Sequence, residues 1–221
     1  ATFGNQITAV GYEVSPRSLE PGRALDVALF LQATRPITED YALALQLLSP
    51  VPGDDTVLVN FNTIPGRGNY PTFVWSPDEM IVDRYRLQLP TSVARVQAWR
   101  VTAVFYRLSD GRPLPVQVAG QPAGGLLGLG LVRVGASALP EVPEEARRAP
   151  EPVFGEAVRL EGLLLRPEGD RLEVQAWWRA VAALDADYTA LVHLYDGGQT
   201  LLASGDRAPL DGGFPTSLWK P

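Results

Sequence analysis

A group of aromatic and polar residues in the second half of the chain has the spacing of a ligand-binding sheet face. Gln175, Trp177 and Arg179 stand at alternate positions, and alternate residues of a strand point to the same face. On such a face an aromatic ring can cover the apolar side of a sugar while polar groups bind its hydroxyls. His193 and Tyr195 would join this face if the strand that carries them lies alongside. These five residues form a candidate carbohydrate site; the alternative is that a loop or a partner domain covers the face.

Neither a catalytic nor a metal site is predicted. His193 is the only histidine and there is no cysteine, which excludes thiolate chemistry and His-rich metal sites and weakens any Ser-His-Asp assignment. Three acidic pairs could bind Ca²⁺ but lack the regular spacing of a calcium loop, so we expect them in turns and corners: Asp54-Asp55, Asp185 with Asp187, and Asp206 with Asp211. The glycine-rich stretch 124–130 has no lysine, so it does not read as a phosphate loop. We therefore expect a protein that is not an enzyme and binds no cofactor. The competing hypothesis is an enzyme with carboxylate chemistry, which would need two carboxylates facing each other at glycosidase spacing.

Composition indicates a β-rich protein. Twenty prolines and 21 glycines in 221 residues favour many short strands joined by turns, and a hydrophobic content of 46% can supply a core. The net charge of −6 has the wrong sign for phosphate neutralisation, so no nucleic-acid partner is expected. No apolar run reaches membrane-spanning length, so we predict no span in this chain.

Three sequence blocks occur twice in the same order, with offsets of 151, 147 and 144 residues. The first pairs Phe3-Gly4 with Phe154-Gly155, and the second pairs the segment 25–47 with 172–194. The third pairs Pro71-Thr72-Phe73-Val74-Trp75-Ser76-Pro77 with Pro215-Thr216-Ser217-Leu218-Trp219-Lys220-Pro221. Collinear blocks of this kind predict a tandem duplication. Trp75 and Trp219 are each predicted to hold a long loop against their module. The alternative is that their rings are exposed and stack on a sugar.

Alternation of apolar residues predicts strands within both copies. The apolar positions of the first strand and their counterparts are Leu25, Val27, Leu29 and Leu31, and Leu172, Val174, Ala176 and Trp178. Those of a second strand are Tyr41, Leu43, Leu45 and Leu47, and Tyr188, Ala190, Val192 and Leu194. We predict two tandem antiparallel β-sandwich modules, immunoglobulin-like or jelly-roll-like.

The predicted domains are a complete first module at 1–135, a linker rich in proline and glutamate at 136–152, and a shortened second module at 153–221. After its third block the first copy continues through three apolar stretches, at 80–89, 96–106 and 131–134, which have no counterpart in the second copy. Since a sandwich without several strands exposes its core and its strand edges, we expect the chain to be a fragment or its remaining strands to come from elsewhere.

These blocks resemble β-sandwich modules found in the extracytoplasmic C-terminal regions of polytopic, glycosyltransferase-type membrane proteins of Chloroflexi-like bacteria. The resemblance lies in the Phe-Gly openings, Asp40-Tyr41 and Asp187-Tyr188-Thr189, Val192-His193-Leu194, and the closing block at 215–221. It implies a non-catalytic, extracytoplasmic accessory or interaction module of a larger cell-envelope protein. Its expected partner is the remainder of that polypeptide or another protein. The alternative function is a carbohydrate-binding module with a glycan partner.

Overall fold

The computed structural model describes residues 1–93, 96–135, 141–146 and 151–221. In these ranges the chain forms β-strands and 3-10 turns of three or four residues, without an α-helix. The all-β class predicted from the sequence is confirmed. Two compact units divide the chain, Ala1–Ala136 and Ser137–Pro221, called here unit 1 and unit 2.

The described part of unit 1 contains eleven strands that form two sheets. In chain order the strands are β1 Thr2–Phe3, β2 Ile7–Ser15, β3 Ser18–Leu19, β4 Ala24–Ala33, β5 Tyr41–Leu48, β6 Val57–Thr63, β7 Met80–Gln88, β8 Gln97–Arg107, β9 Val116–Val118, β10 Gln121–Pro122 and β11 Leu127–Val134. One sheet has the order β10-β9-β1-β2-β4-β7 and the other β3-β11-β8-β5-β6. All pairs are antiparallel except β3 with β11.

The core of unit 1 is a single hydrophobic cluster to which both sheets contribute. Leu25, Leu29 and Leu31 of β4 are fully buried in it, together with the inward row of β5. Buried and exposed residues alternate along the whole of β7, as expected for a strand with one face on a core. The apolar rows that predicted β4 and β5 are therefore buried in unit 1.

β11 begins at Leu127, earlier than the apolar stretch at 131–134 suggests. Two of its glycines, Gly128 and Gly130, flank a bulge in the pairing with β8, and Gly130 has a φ of +105°. A Cβ at Gly130 would also lie 2.7 Å from the guanidinium of Arg17. The glycines let the strand bulge and make room for Arg17, which is why a glycine-rich stretch is part of the sheet.

Unit 2 forms two smaller sheets in its described residues. β12 Val153–Phe154, β13 Val158–Glu168 and β14 Arg171–Ala180 make a three-stranded antiparallel sheet. β15 His193–Tyr195 pairs with β16 Leu201–Ser204. Short 3-10 turns follow at Pro209–Gly212 and Thr216–Leu218.

The predicted second strand of unit 2 is shorter than expected. The row from Tyr188 to Leu194 does not form one strand: β15 begins only at His193, and Ala190 makes an isolated bridge to Arg207. The counterpart β5 is held on one side by β6 and on the other by β8. In the described part of unit 2, β15 has a partner on one side only, and a two-stranded pair by itself is only marginally stable.

The predicted linker at 136–152 is described only in part. Residues 136–140 and 147–150 lie outside the described residues. Between them, Glu144–Ala146 form a 3-10 turn in unit 2, and Ala146 is fully buried. The described part of this segment therefore contains a turn with one buried side chain, and its glutamates are exposed.

The opening hairpins of both units have the same turn. Gly4 and Asn5 have φ values of +54° and +53°, and Gly155 and Glu156 have +55° and +59°. Two successive residues with positive φ define the tight turn that matches the twist of a hairpin. Each unit thus enters its first long strand through the same backbone geometry.

Candidate functional site

The candidate residue Trp177 is positioned by a bulge between β13 and β14. The register shifts between Leu160 and Gly162, and Trp177 lies opposite Gly162. In unit 1 the corresponding bulge places Phe30 opposite Gly11. Trp177 and Phe30 thus occupy matching outward positions, as the sequence predicted, and both are half-buried.

The segment before unit 2's first strand covers part of the sheet face that carries Trp177. A Cβ at Gly162 would lie 2.5 Å from Val142 Cγ1 and 3.0 Å from the Ala146 carbonyl oxygen. At Gly11, by contrast, a Cβ would meet only Phe30, at 3.6 Å. Residues 141–146 therefore pack on β13 at the register of Trp177 in a way that needs a glycine. This contact favours the alternative in which a loop covers the face.

The polar residues beside Trp177 are paired with neighbours on the same sheet. Arg179 forms a close ion pair with Glu161, the bulged residue of β13. The hydrogen bond that Arg179 donates to Glu161 in this pair raises the pKa of Arg179 above its usual value. The Gln175 amide donates to Glu173 at 2.9 Å. The three predicted residues of β14 do share a face, but the two polar ones are already engaged.

His193 and Tyr195 form a separate cluster with Asp206. His193 Nε2 lies 3.1 Å from Asp206 Oδ1, and the Tyr195 hydroxyl lies 3.4 Å from His193 Nδ1. Asp206 also accepts the Val192 N–H at 3.0 Å. Desolvation acts to raise the pKa of Asp206, but hydrogen bonds from His193 and the Val192 N–H outweigh it and lower that pKa. The cluster ties β15 to the segment after β16; the sequence had placed Asp206 only among the acidic turn residues.

The two groups of predicted residues belong to different sheets. In the described residues β14 pairs with β13, and β15 pairs with β16. The expected alignment of the His193 strand beside β14 is not formed as a hydrogen-bonded pair. In the described residues the condition for a single five-residue platform, a direct pairing of these two strands, is therefore not met.

The acidic residues considered as cation ligands serve turns and local ion pairs. Asp54 accepts the Thr56 N–H at 3.0 Å, and Asp211 pairs with Arg207 at 3.0 Å. Asp187 accepts both the backbone N–H and the hydroxyl of Ser217. Within the described ranges no three His, Asp or Glu residues come together as a metal site.

The closing block of each unit is held by the same hydrogen bonds. Trp75 Nε1 donates to the Tyr70 carbonyl at 3.1 Å, and Trp219 Nε1 donates to the Phe214 carbonyl at the same distance. Each indole also contacts the aromatic ring of the residue whose carbonyl it binds. Trp75 is buried and Trp219 half-buried. These contacts match a loop-pinning role for the two tryptophans.

Unit 2 also has an apolar sheet face whose residues were not among the predicted site residues. Residues paired across β12, β13 and β14 share this face, which we call the open face: Phe154, Leu165 and Leu172 are exposed on it, and Val174 and Trp178 are partly exposed. Phe154 is 54% exposed and Leu172 39%, whereas their counterparts Phe3 and Leu25 are 1% and 0% exposed. Alternation alone predicts the face but not whether anything covers it.

Comparisons with known proteins assign no family. No protein-family model matches the chain, and no curated protein matches it significantly. One solved structure with partial similarity is the Pseudomonas fluorescens alkylpurine DNA glycosylase AlkC bound to DNA containing an abasic site analog, with 12% identity and a TM-score of 0.35. That match covers 59% of this chain and 31% of the glycosylase chain, and at this TM-score it assigns neither fold nor function. Across the described ranges, no helix has the length and apolar character of a membrane span.

Proposed function

We propose that this chain is a non-catalytic interaction module of a larger, extracytoplasmic cell-envelope protein, built from two tandem β-sandwich modules. The observation that carries the proposal is the open face of unit 2. A contiguous apolar surface of this kind marks a site of association with another polypeptide. The cell-envelope setting is taken from the sequence resemblance to accessory modules of glycosyltransferase-type membrane proteins.

Matching local geometry in the two units supports the tandem arrangement. The positive-φ turn, the strand bulge and the tryptophan hydrogen bond each occur at the corresponding positions of the repeated blocks. In unit 1 two sheets share one core, which is the arrangement that a sandwich requires. Unit 2 retains the same first hairpin and closing loop, with its apolar face uncovered.

The state of the polar groups favours binding over catalysis. The only histidine bridges Asp206 and Tyr195 near the surface, and the arginine beside Trp177 is paired with Glu161. These contacts hold strands and loops together. The apolar side chains of the open face remain exposed or partly exposed in the described residues, which is why we assign the function to them.

Cell fractionation tests the proposed setting. Antibodies against this chain should label the envelope fraction of the source organism, on a polypeptide longer than 221 residues. Protease treatment of intact cells should remove the signal while a cytosolic marker protein survives. A signal confined to the cytosol, or a polypeptide of only this length, would contradict the proposal.

A second candidate function is carbohydrate binding, and the partial exposure of Trp177 favours it. A glycan array compares the unmodified chain with Trp177→Ala and Trp177→Phe. If the ring stacks on a sugar, binding is lost in the alanine variant and largely retained in the phenylalanine variant. Absence of glycan binding by the unmodified chain, or equal binding by the alanine variant, rejects this candidate.

A further inference from the structure

The long edge of β14 that faces away from β13 has no strand partner among the described residues of unit 2. In unit 1 the corresponding strand β4 lies between two others: it pairs with β2 on one side and with β7 on the other. The β4–β7 ladder runs without interruption from Ala24 opposite Gln88 to Gln32 opposite Met80. β14 has the same ten-residue length as β4, so its edge presents a matching ladder of backbone groups.

The apolar residues beside this edge match those that lie opposite apolar residues of β7 in unit 1. Leu25 lies opposite Leu87, and Val27 opposite Tyr85. Their counterparts on β14 are Leu172 and Val174, which are exposed or partly exposed on the open face. A segment that adds to the edge of β14 would pack against these two side chains if its inward residues opposite them are apolar, as Leu87 and Tyr85 are in β7. The inward row of β7 also contains one buried carboxylate, Asp83.

The outward face adds a charge requirement. In unit 1, Arg86 of β7 lies 3.7 Å from Asp26 of β4, and both side chains are solvent-exposed. Glu173 is the counterpart of Asp26 and keeps the negative charge. A cation at the opposite position of the added segment would complement it.

We propose that the free edge and open face of unit 2 bind an extended polypeptide segment with the pattern of β7, which adds to β14 as an antiparallel strand. The segment has apolar residues opposite Leu172 and Val174 on the open face and an arginine or lysine opposite Glu173. This is recognition by strand addition, in which main-chain hydrogen bonds supply affinity and side-chain pockets supply specificity. The inference rests on the proposed interaction role and names its partner.

A peptide with the sequence of residues 78–89, which contains β7, is a suitable probe when it carries Asp83→Leu. In unit 1 the inward Asp83 is satisfied by the Gly66 N–H, a partner that the open face does not supply. The labelled peptide is titrated into the intact chain, with binding followed by fluorescence anisotropy and by hydrogen exchange of the backbone. We expect saturable binding that slows exchange in 171–180 by about tenfold or more, because new main-chain hydrogen bonds protect those amides. Exchange in 24–33, where β7 is already in place, should not change.

Two controls make the result specific. A peptide carrying Ile81→Ser, Tyr85→Ser and Leu87→Ser keeps the charges but loses the inward apolar groups, and should not bind. In the chain, Leu172→Asp should weaken binding by about tenfold or more, because docking would bury an unpaired charge. Leu108→Asp makes the same change at an exposed leucine of unit 1 and should have no effect.

Each opposite outcome overturns the inference. These outcomes are absence of binding, equal binding of the serine-substituted peptide, and equal binding to the Leu172→Asp chain. Concentration-dependent self-association that protects 171–180 without peptide would instead assign the face to a second copy of the chain. The fractionation result is independent of this measurement, so failure of the cellular setting and failure of strand addition are distinguishable.

Discussion

The hydroxyl of Thr72 accepts a hydrogen bond of 2.9 Å from the backbone N–H of Tyr41, although the two residues are 31 positions apart. The same atoms are joined in unit 2, where Thr216 Oγ1 accepts the Tyr188 N–H at 2.8 Å. Tyr41 begins a long buried strand, whereas Tyr188 is exposed and precedes a short one. The bond between the loop and the strand entry therefore forms whether or not the strand is covered.

Thr72→Val should destabilise unit 1 by about 2–3 kcal/mol, because it leaves the buried Tyr41 N–H unpaired and removes the bond from the hydroxyl to the Glu39 carbonyl. Thr72→Ser keeps the hydroxyl and should cost about 1 kcal/mol for the lost methyl group. Urea unfolding followed by circular dichroism measures both, with the exposed Thr38→Val as the control. Equal stability of the valine and serine variants would show that the hydroxyl does not hold this loop.

Phe3→Ala should destabilise the chain by about 3–5 kcal/mol, because Phe3 is buried and makes an edge contact with Phe105 at 5.0 Å. Phe154→Ala, the same change at the corresponding position, should cost less than about 1 kcal/mol since that ring is mostly exposed. The free energies of unfolding of the two variants provide the comparison. Similar losses in both would mean that Phe154 is covered in solution.

Gly162→Ala should disturb the packing of residues 141–146, because the new methyl group would meet Val142 Cγ1 at 2.5 Å and the Ala146 carbonyl at 3.0 Å. Gly11→Ala is the matched control, since its nearest neighbour would be Phe30 at an ordinary contact distance of 3.6 Å. Hydrogen exchange at the Ala146 amide, which donates to the Pro143 carbonyl, reports the disturbance. We expect faster exchange in Gly162→Ala alone; unchanged exchange there would exclude the close packing.

The turn at 196–200 should loosen in acid. The hydrogen bond from the Thr200 N–H lowers the pKa of Asp196 below 3.8, with a further contribution from the Gly198 N–H and despite the opposing effect of desolvation. A carboxyl whose pKa is lowered by folding stabilises the fold above its unfolded pKa, and that contribution is lost as the pH falls through the folded pKa. In a pH titration followed by NMR of the carboxyl carbon, Asp196 should have its midpoint below pH 3.8. Asp196→Asn should abolish the acid-dependent change in the exchange of the Thr200 amide. A midpoint at or above 3.8 would contradict this assignment.

The sequence by itself determined the strand character of the chain and the matching positions in its two halves. Period-two alternation identified β4 and its counterpart β14, because successive side chains of a strand point to opposite faces regardless of what lies beyond them. The same rule placed Trp177 and Phe30 on the outward face, opposite the glycines of their bulges. The sequence also predicted that Gln175 and Arg179 share that face with Trp177.

Only the tertiary structure decided which of these faces is covered. Leu25 and Leu172 have the same place in the same pattern, yet one is buried under a second sheet and the other is exposed. Burial depends on strands far away in the chain, and alternation contains no information about them. For the same reason the pairing of His193 with Asp206 and the packing of residues 141–146 on Gly162 appear only in the fold. The local pattern determines which face of the sheet a side chain points to, and the long-range pairing of strands determines which residues it contacts.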